Sequence, residues 1–97
     1  MTMATYIILS RILPCALDEP SNIKSMAKKV NSLIKKECPG ITWKESYAVK
    51  GSWDIVDIIE TENEGEVDRA ALIIRSVGSA QTETMTTTPW HEFLERL

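Results

Sequence analysis

Residues 51–60 read GSWDIVDIIE. Gly51 and Ser52 form a two-residue hairpin loop of the kind in which glycine supplies a positive φ, so the flanking segments are expected to pair as antiparallel strands. The strand that follows, Trp53 to Glu60, carries Ile55 and Ile59 on one side and Val56 and Ile58 on the other. A strand that is apolar on both faces belongs in the middle of a sheet, with cover on both sides.

The partner strand, Ile41 to Val49, alternates: Ile41, Trp43, Tyr47 and Val49 point one way, and Thr42, Lys44 and Ser46 point the other. Upstream, Thr5 to Ile12 contains the unbroken run Tyr6, Ile7, Ile8 and Leu9, a second strand apolar on both faces, and Pro14 marks its exit. Pro20 and Ser21 open a helix whose stripe is Ile23, Met26, Ala27, Val30, Leu33 and Ile34; Pro39 and Gly40 stop it. Thr61 with Glu64 reads as a capping box at the start of a second helix, with stripe Val67, Ala70, Ala71 and Ile74 and with Gly78 closing it in a left-handed conformation. A threonine-rich strand, Ser79 to Thr87, is polar on both sides. Pro89 then lies in the first turn of a short helix on which Trp90, Phe93, Leu94 and Leu97 share a face.

The order strand, helix, strand, strand, helix, strand is the split βαβ pattern of a ferredoxin-like α+β sandwich. It predicts a four-stranded antiparallel sheet of order 4-1-3-2, two helices on one face and a short C-terminal helix, in one domain over residues 1–97. The two doubly apolar strands take the centre. The polar ones take the edges, where Lys44, Glu45, Gln81 and Glu83 discourage uncontrolled pairing.

The chain has 97 residues, 43% hydrophobic and 26% charged, a globular profile. Its net charge of -3 includes no clustered basic surface for phosphates, which argues against a nucleic-acid partner. Lys28, Lys29, Lys35 and Lys36 read as the solvated side of the first helix. No apolar run approaches the roughly 18 residues a membrane helix needs. Residues 1–9 lack the charged start and cleavage site of a secretory signal, so a cytoplasmic location without membrane attachment is expected. Cys15 and Cys38 are expected to be free thiols. With the single His91 they cannot complete a four-ligand zinc site, so no metal is expected, and no motif announces a cofactor.

Two helices cover one face of a four-stranded sheet, yet the central strands are apolar on both. Leaving about four to six large side chains wet would forgo about 1.5 to 3 kcal/mol each, a sum that rivals a domain's whole stability. A second copy packed sheet against sheet removes that cost, giving an isologous homodimer with a closed interior and leaving higher assembly open. The alternative is that the C-terminal helix folds back over the open face.

Thr5 to Leu9, the hairpin Gly51, Ser52, Trp53 and Asp54 leading into Val56, Ile58, Ile59 and Glu60, then Thr82, Thr84, Glu92 and Phe93 stand in an order and spacing that resembles the GYD family, grouped with the dimeric α/β-barrel proteins. The likeness spans nearly the whole chain. Trp53 stands where that family usually has tyrosine, and Leu13 to Pro20 lacks its usual glycine-containing turn. The resemblance implies a ferredoxin-like fold and a dimer; it implies no common activity.

For chemistry the chain offers Asp57 and His91 as catalytic candidates, and Trp43, Tyr47, Trp53, Asp54 and Asp57 as ligand-binding candidates. Asp57, between Ile55 and Ile59, is assigned to the dimer interior, where an unpaired carboxylate is costly and its pKa rises. It reads either as a general base on a small substrate in an apolar chamber or as a group held by a hydrogen bond or ion pair across the sheet or the dimer interface. Asp54 follows the turn and suits a bond to nearby backbone N–H groups. Trp43 and Tyr47 line a ligand chamber or pack in a core or interface. His91 is a proton shuttle or haem ligand if the last helix closes a pocket, and otherwise a surface residue. Arg75 and Glu83 have no partner visible in the sequence. Two functions follow: a non-catalytic, small-molecule-binding or sensing module with an apolar cavity, or, by analogy with the barrel class, a cofactor-free oxygenase or isomerase acting on a small aromatic or keto compound.

Overall fold

The structure, a computed structural model, describes residues 3–14 and 20–97. The elements run β1 (Ala4–Ile12), α1 (Pro20–Glu37), β2 (Thr42–Ala48), β3 (Ile55–Thr61), α2 (Glu64–Val77), β4 (Ala80–Thr86) and α3 (Trp90–Glu95). The sheet order is β2-β3-β1-β4 and every pairing is antiparallel, so the two doubly apolar strands are central, as expected. Cys15, and most of the Leu13 to Pro20 segment, lie outside the described residues; Cys38 is free and buried.

Pleating divides each central strand into two sets. Tyr6, Ile8 and Ser10 of β1 and Asp57, Ile59 and Thr61 of β3 are buried. They lie under the two helices, where Ile34, Val67, Ala70, Ala71 and Ile74 complete the core with Ile8, Ile59 and Val67 fully sealed from solvent. Ile7 and Leu9 of β1, and Val56 and Ile58 of β3, form the other set. They are only half-buried in the single chain, and Met85 and Tyr47 lie exposed beside them on the edge strands. This is the open face. The C-terminal helix does not cover it: no residue of α3 is buried, and Trp90 is 71% exposed and Leu97 87%. Trp90 and Phe93 stack on one another, ring centroids 5.7 Å apart.

Five local expectations are corrected, the hairpin loop last. Asp57 does not face away from the helices with a dimer interior; with Ile55 and Ile59 it faces α1 and α2, and Val56 and Ile58 occupy the open face. Strand β2 does not alternate regularly, because a β-bulge between Trp43 and Glu45 shifts the register: Trp43 stands opposite Ile59 and Ser46 opposite Asp57, while Tyr47 stands opposite Val56. Trp43 and Tyr47 therefore point to opposite faces, since one extra residue inverts the alternation that follows it. The capping box at Thr61 and Glu64 does not form. Asn63 is the N-cap, its side chain accepting from Gly65 N at 2.9 Å, and the Thr61 hydroxyl instead accepts from Asn63 N. Gly78 is right-handed, with φ -85°, and Ser79 carries the positive φ of 49°. Glycine is needed at 78 for close approach: a Cβ there would stand 2.6 Å from the Ile74 carbonyl oxygen.

The hairpin loop is longer than two residues, since β2 ends at Ala48 and β3 starts at Ile55. Gly51 has the expected positive φ, 123°. The Val49 N–H donates to the Asp54 carbonyl at 2.9 Å and closes the loop.

Candidate functional site

Between the sheet and α1 lies a cavity of about 230 Å³. Its walls are apolar: Ile23, Met26 and Val30 come from α1, Ile12 and Ile55 from the sheet and Ile74 from α2. The stripe that makes α1 a helix also roofs the cavity, through Ile23, Met26 and Val30. Across that floor run Ser46 of β2, Asp57 of β3 and Ser10 of β1, three polar residues on three adjacent strands. Asn31 borders the cavity from α1.

The β2 bulge organises the polar stripe. It brings Trp43 and Ser46 to one face, where the Trp43 indole N–H donates to Ser46 Oγ at 2.7 Å and Ser46 Oγ donates to Asp57 Oδ1 at 2.6 Å. Such a relay polarises each bond in it. Asp57 is 6% exposed and has no basic side chain among the described residues that line the cavity. Burial pushes its carboxyl pKa up, and the hydrogen bonds from Ser46 and Trp43 oppose that shift. Ser10 is 1% exposed, and its hydroxyl has no hydrogen-bond partner among the described residues.

Of the residues singled out from sequence, Asp57 and Trp43 come together here. Tyr47 is on the opposite face, 51% exposed. Asp54 and Trp53 lie in the β2–β3 loop and hold the end of β1: Asp54 Oδ2 accepts from Ile12 N at 2.8 Å, and the Arg11 guanidinium lies 5.0 Å from the centre of the Trp53 ring while donating to Ser52 O. His91 is exposed on α3 and is not among the residues that line the cavity beneath α1. Arg75 and Glu83 are exposed as well. Ser10, Asn31 and Ser46 were not foreseen. Ser10 carried a signal, a lone hydroxyl at the end of the apolar run of a central strand; Ser46 carried none, because regular alternation turns it outward.

Compared with known proteins, the chain matches the model of the GYD domain over residues 6–97. It belongs to the GYD domain family. A GYD-type relative from Thermus thermophilus, named glutamine synthetase and cystathionine beta-lyase binding protein, is 30% identical over 95 residues, covering 98% of this chain and 99% of the relative. Among solved structures, a variant of chlorite dismutase from Candidatus Nitrospira defluvii superposes with a TM-score of 0.67 at 11% identity, over 90% of this GYD domain and 40% of the dismutase chain. An uncharacterised protein from Thermotoga maritima superposes with a TM-score of 0.54 at 15% identity, over 90% of this chain and all of that one. At such identities the likeness concerns the ferredoxin-like fold alone. No helix among the described residues of the GYD domain is long and apolar enough to cross a membrane, and no group of three or more potential ligands among them is placed to hold a metal ion.

Proposed function

We propose that this GYD domain is a non-catalytic binding module that works as a sheet-to-sheet homodimer, each protomer holding one small, mostly apolar molecule in the cavity beneath α1. The cavity carries this reading. An engineered apolar cavity of about 150 Å³ accepts benzene, so 230 Å³ has room for a ring with a short chain. Mostly apolar walls with a few convergent polar groups are what small-molecule sites have in common. The homodimer rests on the open face, where Ile7, Leu9, Val56 and Ile58 lie uncovered by α3. The name of the Thermus relative, which speaks of binding two enzymes, supports a role in binding rather than turnover.

A cofactor-free isomerase is the second reading, favoured by one observation: Asp57 has a raised pKa in an apolar cavity beside an aromatic ring, as a general base for carbon acids should. It lacks a convincing counterpart. Proton abstraction beside a carbonyl needs donors aimed at the developing oxyanion, and the described lining offers only neutral ones, such as Ser10 and Asn31, with no Lys, Arg, His or Tyr.

The binding reading is tested by thermal unfolding with neutral apolar compounds such as 2-phenylethanol and p-cresol. A ligand that binds only the folded state stabilises by about 2.7 kcal/mol at a hundred times its Kd. Both compounds should raise the Tm of the wild type and leave that of Val30→Trp unchanged, because Val30 is half-buried and lines the cavity, and an indole there would fill it. Equal shifts in both proteins, or none in either, would overturn it.

A further inference from the structure

The polar stripe on the cavity floor sets one acid among apolar walls. Asp57 is an acid set in apolar walls, and no positive side chain is among the described residues around the cavity. Ser46 and, through it, the Trp43 indole satisfy one carboxylate oxygen, Oδ1, by neutral donors only. On the neighbouring strand, Ser10 pairs with Ile55, two residues from Asp57 on the same face, so its unpartnered hydroxyl lies diagonally across from the carboxylate. Diagonal neighbours in a sheet are about 7 to 8 Å apart at the backbone, near enough for one ligand head group to meet both side chains. A buried carboxylate without a counter-charge is costly, and a cation supplied by the ligand removes that cost through a charge-assisted hydrogen bond.

We propose that the cavity beneath α1 is a site for small apolar primary amines, whose ammonium group pairs with Asp57 and donates to Ser10 Oγ while the hydrocarbon body fills the space among Ile12, Val30, Ile55 and Ile74. This rests on the reading of the cavity as a ligand site and adds the class of ligand. An ammonium has three donors and no acceptor, which matches a floor presenting a carboxylate and a hydroxyl oxygen. A carboxylate ligand would face Asp57 with like charge and find no cation.

Three probes of nearly equal size separate the two ideas: 2-phenylethylamine, 2-phenylethanol and phenylacetate, each titrated calorimetrically at neutral pH into the wild type, Asp57→Asn and Ser10→Ala. The amine should bind the wild type at least about tenfold more tightly than the alcohol, the order of effect a hydrogen bond between charged groups provides, and phenylacetate should bind least. In Asp57→Asn the preference for the amine should vanish while the alcohol still binds, which shows that the cavity is intact. Ser10→Ala should weaken the amine more than the alcohol. If the wild type takes amine and alcohol equally, the amine assignment fails and the cavity reading survives. If none of the three binds, both fail. Circular dichroism of the two variants establishes that they are folded, and should either be unfolded, the ranking of the three probes on the wild type alone still decides.

Discussion

Asp57 carries the tension between stability and function at the scale of a single residue. Its burial favours the protonated form, and Ser46 and Trp43 only partly offset this. A group whose folded pKa lies above its unfolded value binds more protons when folded, so stability falls as pH rises from the ordinary carboxylate range to the raised value, and stays at that lower level above it. Each pH unit in that window costs at most about 1.4 kcal/mol. Asp57→Asn, which keeps an acceptor for the Ser46 hydroxyl and cannot ionise, should therefore be more stable than the wild type at pH 7, with the advantage shrinking to nothing below the ordinary carboxylate range. Urea unfolding at a series of pH values measures this. An Asp57→Asn variant that is less stable at pH 7 by the same margin as at low pH would contradict it. The polarity of position 57 was plain from sequence, and the hydrogen bond across the sheet is there, to Ser46; the chamber it lines is the one beneath α1 and not the dimer interior expected for it. Its face was not legible, because 55, 57 and 59 and their neighbours 56 and 58 are both mainly apolar sets, and nothing in the residues marks which set the helices cover.

At the scale of elements, the sequence was most readable where periodicity was strong and least where one residue of register mattered. The stripe of α1 and the double-sided runs of β1 and β3 have no competing interpretation, and each element appears within a few residues of its expected bounds. The bulge in β2 is different. No glycine or proline marks it, and in the run Lys44, Glu45 and Ser46 an extra residue leaves no break in polarity. Yet that bulge places Trp43 and Ser46 on one face and so builds the relay to Asp57. The start of α2 was misread for a related reason: Thr61 is buried at the end of β3, so its hydroxyl serves the turn at Asn63 N, and the residue nearest the helix takes the cap. Asn63→Ala should cost about 1 kcal/mol, as loss of an N-cap side chain does, whereas Glu64→Ala, which removes the acid of the expected capping box, should cost clearly less. Chemical denaturation of both variants checks the order, and a larger loss at Glu64 would restore the capping box.

Taken as a whole molecule, the protein has two apolar surfaces that no other element among the described residues covers, the open sheet face and the stripe on α3. The half-buried state of Ile7, Leu9, Val56 and Ile58 is what a central pair of strands would show with one layer of helices missing. A second copy on that face should be detectable by sedimentation equilibrium at low micromolar concentration as a species of twice the protomer mass, and Ile58→Lys, which sets a charge in the middle of the face, should shift it toward the monomer while the fold persists. A folded monomer throughout would remove the dimer and leave the cavity beneath α1 untouched, since the two lie on opposite sides of the sheet. That separation also allows one spectrum to locate the ligand. In methyl NMR of isoleucine-labelled protein titrated with 2-phenylethanol, Ile12, Ile23, Ile55 and Ile74 should shift while Ile7 and Ile58 stay in place; shifts confined to Ile7 and Ile58, or none at any isoleucine, would contradict a ligand site beneath α1.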